Sequence, residues 1–86
     1  MYPAKYPVDG VRLAKDFVYH APFGDQAARY GVLREAAKDL AEIIMGQCPP
    51  SRETSVALTN LEQVVFWANA AIARNEAFEE GYTKDQ

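Results

Sequence analysis

Ser51-Arg-Glu-Thr-Ser-Val-Ala-Leu-Thr-Asn-Leu-Glu-Gln-Val-Val-Phe-Trp-Ala-Asn-Ala-Ala-Ile-Ala-Arg-Asn75 decides the fold. No Gly or Pro interrupts it. Thr54, Ala57, Leu58, Leu61, Val64, Val65, Ala68, Ala71 and Ile72 recur at i, i+3, i+4, i+7, the helical period. Pro49-Pro50 precede it, and the Ser51 hydroxyl can accept from an orphan N–H of the first turn. Glu53 suits the positive end of the helix dipole. At 1.5 Å per residue the rod is about 35 Å long. A second face, Ser55, Thr59, Glu62, Phe66, Asn69, Ala70 and Ala73, carries few charges. Residues 66–73 are apolar or small almost all round, so this helix is expected to be covered on more than one side.

Working back along the chain, Asp25 is placed to cap a first long helix over about residues 26–46. Its stripe is Tyr30, Leu33, Ala37, Leu40, Ala41 and Ile44. Gly46 and Pro49-Pro50 end it. So short a connection makes the two long helices antiparallel neighbours. Residues 11–19, Val-Arg-Leu-Ala-Lys-Asp-Phe-Val-Tyr, read equally as a short helix or an edge strand. His20–Gly24 is a loop. Residues 1–10 hold two Tyr-Pro steps and an Asp-Gly turn signal, and read as an extended arm. The expected organisation is an N-terminal arm (1–16), a helical-hairpin domain (17–78) and an acidic tail (79–86). The fold class is all-α: an antiparallel two-helix hairpin with a short arm. A hairpin cannot cover both faces of its second helix, so a homo-oligomer is expected.

The chain has 86 residues and is 49% hydrophobic, enough for one folded domain. Its net charge is −3. Residues 76–86 account for that, leaving eight basic and eight acidic side chains in residues 1–75. No basic stripe suits a nucleic-acid polymer. One Cys and one His exclude a disulfide framework and a zinc set. No signal peptide or membrane span is read, and a reducing cytosolic setting fits.

Arg29 stands on the margin of the apolar stripe, in a first turn where the dipole disfavours a cation. On one reading its stem packs while its head reaches Asp25 or solvent, the commoner use of Arg. Alternatively the 20–24 loop, the N–H groups after Asp25 and Arg29 hold an anion. Arg34 lies one flank over. Arg52 begins the second long helix, with Glu53 beside it as an easy partner. Asn69, mid-helix among Phe66, Ala70 and Ala73, either fixes register through an interhelical hydrogen bond or reads a nucleobase edge. His20 and Cys48 read as structural, Trp67 and Phe66 as core or interface. No phosphate loop, metal motif or triad is present, so an enzyme is not expected. A hydrolase using Glu62 and His20 is a remote reading.

Phe17-Val-Tyr-His-Ala-Pro-Phe-Gly-Asp-Gln-Ala-Ala-Arg-Tyr30, Leu33-Arg34, Pro50-Ser-Arg-Glu53, Ala57-Leu-Thr-Asn-Leu-Glu62 and Trp67-Ala-Asn-Ala-Ala-Ile-Ala-Arg74 together resemble a family of small phage and prophage helical-hairpin proteins. That family includes the anti-CBASS and anti-Thoeris sponges. The resemblance runs from about residue 17 to 75. It implies non-catalytic binding of cyclic di- or trinucleotides or of cyclic ADP-ribose isomers, in pockets between protomers. It implies the cytoplasm of an infected bacterium as the setting. The expected ligand contacts are Phe23, Gln26, Arg29, Arg34, Arg52, Thr59 and Asn69. Expected partners are a cyclic nucleotide and further copies of the chain, as dimer or hexamer. No cofactor, metal, nucleic-acid polymer or membrane is expected. The alternative is a helical oligomer that binds a host protein through its aromatic arm and acidic tail.

Overall fold

The computed structural model describes residues 2–76, and among these the protein is helical, with no strand. Three helices follow in order: α1 (Gly10–Phe17), α2 (Gln26–Gln47) and α3 (Arg52–Glu76). The start of α2 is hydrogen bonded to the end of α3, so the two long helices run antiparallel.

The structure has three helices where two and an arm were expected. Of the alternatives read for residues 11–19, the short helix is the one formed, and it begins at Gly10, inside the stretch read as extended. The Asp-Gly step read as a turn is a helix start: the Asp9 carboxylate accepts from the Arg12 N–H at 3.0 Å. At the other end of α1, the His20 ring donates from Nε2 to the Lys15 carbonyl at 2.8 Å. That satisfies one of the last-turn carbonyls, so His20 closes the helix. Helix α1 then lies against α3, with Asp16 3.9 Å from Arg74. It therefore covers part of the second face of α3 that the two-helix reading left for another chain.

Between α1 and α2 the backbone turns at Gly24, whose φ of +57° only glycine adopts without strain. Asp25 occupies the cap position of α2, but its side chain makes no cap bond. Its carboxylate takes the Arg29 Nε–H at 3.1 Å instead. The Gln26 Oε1 accepts from the Phe23 N–H at 3.1 Å, which ties the preceding loop to the first residue of α2. At the closed end of the hairpin, the Ser51 hydroxyl accepts from the Thr54 N–H at 3.1 Å, and Thr54 Oγ1 donates to the Pro49 carbonyl at 2.7 Å. Those two bonds lock the Pro-Pro connection onto α3.

The seam between α2 and α3 is half-buried: Tyr30, Leu33, Ala37, Ala41 and Ile44 on one side, Thr54, Ala57, Leu58, Leu61, Val65, Ala68 and Ile72 on the other. Leu40 and Val64, read as stripe residues, are 46% and 61% exposed. The one buried residue among those described is polar, Gln26 at 2% exposed. The assembly is only 16 Å thick in its thinnest direction, little more than one helix with its side chains. A single layer of helices has no second layer to bury its apolar stripe against.

The open end of the hairpin is fastened by charge. Arg29 meets Glu76 with both terminal nitrogens, Nη1–H to Oε2 at 2.8 Å and Nη2–H to Oε1, while Gln26 Nε2–H donates to the same Oε1 at 3.1 Å. The hydrogen bonds from Arg29 and then Gln26 hold the Glu76 carboxyl down to about 2, from an ordinary 4.5. Arg29 is correspondingly raised, chiefly by its hydrogen bonds to Glu76. Both side chains remain about a third exposed, so solvent screens part of the attraction.

Two expectations follow. Ser51→Ala removes the cap of α3 and lowers stability by about 1 kcal/mol in denaturant unfolding. Because Glu76 ionises more readily folded than unfolded, its stabilising contribution is complete above about pH 4.5 and is lost as pH falls towards about 2. The melting temperature of the parent should therefore fall more steeply across that window than that of Glu76→Gln. Parallel pH profiles of the two would contradict the fastening role.

Candidate functional site

The residues expected to contact a ligand fall in four places. Phe23, Gln26 and Arg29 are brought together at the open end of the hairpin. The anion seat read there is taken: the Glu76 carboxylate lies on Arg29 and Gln26, and Asp25 lies on Arg29 Nε. All three guanidinium nitrogens of Arg29 thus face carboxylates. A phosphate could reach this cation only by replacing Glu76. The sequence left Arg29 open between reaching Asp25 and holding an anion. The Asp25 contact was legible as i,i+4, but the Glu76 contact was not.

Arg34 lies elsewhere, beside a groove of about 310 Å³ on one broad face of the hairpin. The floor is apolar, made by Ala37, Ala41, Leu58, Leu61, Val65 and Phe66, and Arg34, Lys38 and Glu62 stand round it. Among the described residues the Arg34 guanidinium has no hydrogen bond or ion pair. Thr59 is exposed and shares the face of Glu62 and Phe66, three and seven residues on.

Asn69 is half-buried, and its Oδ1 is covered and without a hydrogen-bond donor. This oxygen makes no interhelical register bond. A covered amide oxygen left unpaired is costly, and most such atoms in folded proteins have a partner.

Arg52 is exposed in the first turn of α3, and no ion pair to Glu53 forms among the described residues. It is 24 residues from Glu76 along one helix, or about 36 Å. Within one chain, Arg52 and Arg29 therefore cannot touch the same small ligand.

A further cleft, of about 260 Å³, lies between α1 and α3. Lys15 and Asp16 line it from α1, and Trp67, Ala70, Ala71, Arg74 and Asn75 from α3. Sequence reasoning missed it because the cleft exists only once residues 10–17 are a helix. The available signal was Trp67 and Arg74, seven residues apart and so on one face, with only alanines between them on that face.

No catalytic constellation joins these places. Glu62 stands at the groove, whereas the His20 ring is bonded to the end of α1. Among the described residues no three of His, Cys, Asp and Glu cluster as a metal site, and Cys48 is exposed. No described helix is long and apolar enough to cross a membrane.

Comparison with known families finds one match, to the Acb2/Tad1 hairpin domain, over residues 9–73. The match begins at the Asp9 cap of α1, so the short helix lies within it. No curated protein and no solved structure matches the chain. A match over three quarters of the residues places it: the protein belongs to the Acb2/Tad1 hairpin-domain family, the family of the anti-CBASS and anti-Thoeris sponges.

Proposed function

We propose that the protein is a non-catalytic sponge. It sequesters cyclic nucleotide immune messengers, cyclic di- or trinucleotides or cyclic ADP-ribose isomers, in the cytoplasm of a phage-infected bacterium, and does so as a homo-oligomer. Family membership over residues 9–73 carries the reading. The geometry supports it in three ways. Arg34 stands unpaired beside an apolar groove. Asn69 Oδ1 lacks a donor, which a base edge or a second copy would supply once the side chain turns outward. Large apolar side chains lie open on the long helices: Val32 at 68%, Ile43 at 58%, Phe66 at 58% and Trp67 at 62%. A second copy seated on the groove would cover Phe66 and join the unpaired groups of two chains.

The proposed contacts remain Phe23, Gln26, Arg29, Arg34, Arg52, Thr59 and Asn69, now with distinct roles. Arg34 is available as the chain stands, whereas Asn69 Oδ1 is covered and serves only if its side chain turns outward. Arg29 and Gln26 serve only if a phosphate exchanges with Glu76. Arg52 serves from a different copy than Arg29. Since Arg29 also fastens the hairpin, Arg29→Ala would loosen the fold as well as the site, and it is a poor probe of binding. The hairpin-domain limits proposed are residues 17–78 with α1 docked on them.

One observation favours the second reading, a binder of a host protein. The aromatic side chains ahead of α2 lie open, with Tyr2 at 94% and Tyr6 at 73%, and Phe17 and Tyr19 both at 81%. The acidic tail that this reading also uses falls outside the described residues.

The test is a depletion assay. Each messenger class is incubated with the protein, free ligand is measured, and bound ligand is released by heat. Intact recovery of a depleted messenger is expected. A chemically changed messenger would mean hydrolysis, and no depletion of any class would favour the host-protein binder. Light scattering should give a multiple of the 9.6 kDa chain mass. Phe66→Asp, at an exposed position beside the groove, should give monomer and lose depletion while circular dichroism stays helical. A monomeric parent would overturn the assembly.

A further inference from the structure

Helix α3 has neighbours on two sides. Glu76, with Ala68 and Ile72 on the same stripe, is turned to α2, whereas Trp67, Ala70, Ala71 and Arg74 are turned to α1. The α1 side is where the chain gathers chemistry that its own fold does not use.

Arg74 is the clearest instance. Its guanidinium carbon lies 5.7 Å from the centroid of the Trp67 ring, within cation–π range. Its Nε is 3.9 Å from the Asp16 carboxylate, close enough for attraction but too long for a hydrogen bond. Asp16 is held equally loosely by Arg12, also at 3.9 Å. Arg74 is therefore oriented by an indole and a carboxylate, yet none of its N–H groups is hydrogen bonded among the described residues. Lys15, on the opposite wall, likewise has no carboxylate within ion-pair reach among them. Two cations thus face one carboxylate across the cleft, in a chain whose net charge is −3. Trp67 remains 62% exposed, and the floor beside it is only Ala70 and Ala71.

A bare anion would leave the indole uncovered, and an apolar ligand would leave Arg74 and Lys15 without partners. A nucleotide satisfies both, because every base has a face that stacks on an aromatic ring and its phosphate accepts from guanidinium and ammonium groups. The volume, about 260 Å³, falls below the 300–1,000 Å³ of a pocket that encloses a drug-sized ligand, so the cleft takes one nucleotide unit.

We propose that the α1–α3 cleft binds one nucleotide unit, its base stacked on Trp67 and its phosphate on Arg74 and Lys15. That the unit is part of a cyclic messenger rests on the sponge reading. The cleft chemistry also admits a free mononucleotide, and the experiment separates the two.

Trp67 is the only tryptophan in the chain, so its fluorescence reports on this cleft directly. The full chain is titrated with cyclic di- and trinucleotides, with cyclic ADP-ribose and with adenosine and guanosine monophosphates, alongside the depletion assay. The expected result is saturable quenching by whichever messenger is depleted. Arg74→Gln should weaken binding by about 10- to 150-fold, the range for a lost hydrogen bond to a charged group. Because Arg74 also touches α1, Lys15→Gln is the second variant. The Lys15 side chain makes no hydrogen bond or ion pair among the described residues, so its loss should weaken binding without loosening α1, whereas Lys5→Gln, outside both the cleft and the groove, should not weaken it. Quenching by monophosphates alone would keep the cleft as a nucleotide site and remove the sponge reading. Depletion without quenching, or with Lys15→Gln and Arg74→Gln both binding as the parent does, would remove the cleft and leave the sponge reading standing. Neither depletion nor quenching would remove both.

Discussion

The hairpin depends on the Glu76 carboxylate. It belongs to the last described residue of α3, and antiparallel packing brings it to Arg29, near the start of α2, where the positive end of the helix dipole disfavours a cation. The carboxylate answers that cation, with Gln26 as its second donor. Among the described residues the other ion pair between helices is the looser one of Arg74 and Asp16, at 3.9 Å. Removing Glu76 would leave Arg29 at an unfavourable dipole end with Asp25 alone to answer it.

The long helices were legible because their signals were redundant. α3 had an uninterrupted period, a Ser cap and a Pro-Pro start, and it begins at Arg52, one residue after the start of the Ser51–Asn75 reading. α2 had a stripe and a Gly-Pro end, although the Asp25 carboxylate makes no cap bond and turns to Arg29 instead. α1 was ambiguous for a physical reason. In eight residues, Val11, Leu13, Phe17 and the polar groups between them satisfy a strand alternation about as well as a helical stripe. What settles it is the Asp9 cap, the His20 closure and docking on α3, and only the last is non-local.

The same distinction governs the site. Contacts of short sequence separation were within reach, as with Asp25 and Arg29. The Glu76 partner of Arg29 lies 47 residues away, and no spacing rule connects them. Trp67 was read as core or interface; it is no core residue, standing largely exposed against Arg74. Asn69 was weighed as a register bond or a base reader, and its Oδ1 has no partner within the chain. Arg34 was placed on a flank and is found there, unpaired. Contacts within one helix were readable, whereas those that join different elements were not.

A one-layer protomer also shapes how sequestration would work. Because the slab is 16 Å thick, neither broad face is enclosed, and a ligand seated on one chain keeps a side open to solvent or to a neighbour. A messenger held between copies then binds the assembled form and not the separated chains. By mass action, such a ligand stabilises assembly as well as occupying it, and assembly in turn covers the exposed apolar side chains of the hairpin. In the proposed sponge, the same thinness that denies the chain a closed core of its own would therefore couple folding, association and ligand capture in a single equilibrium. No group needs to be activated for that function. It requires affinity, and enough copies to hold the messenger concentration below what an effector senses.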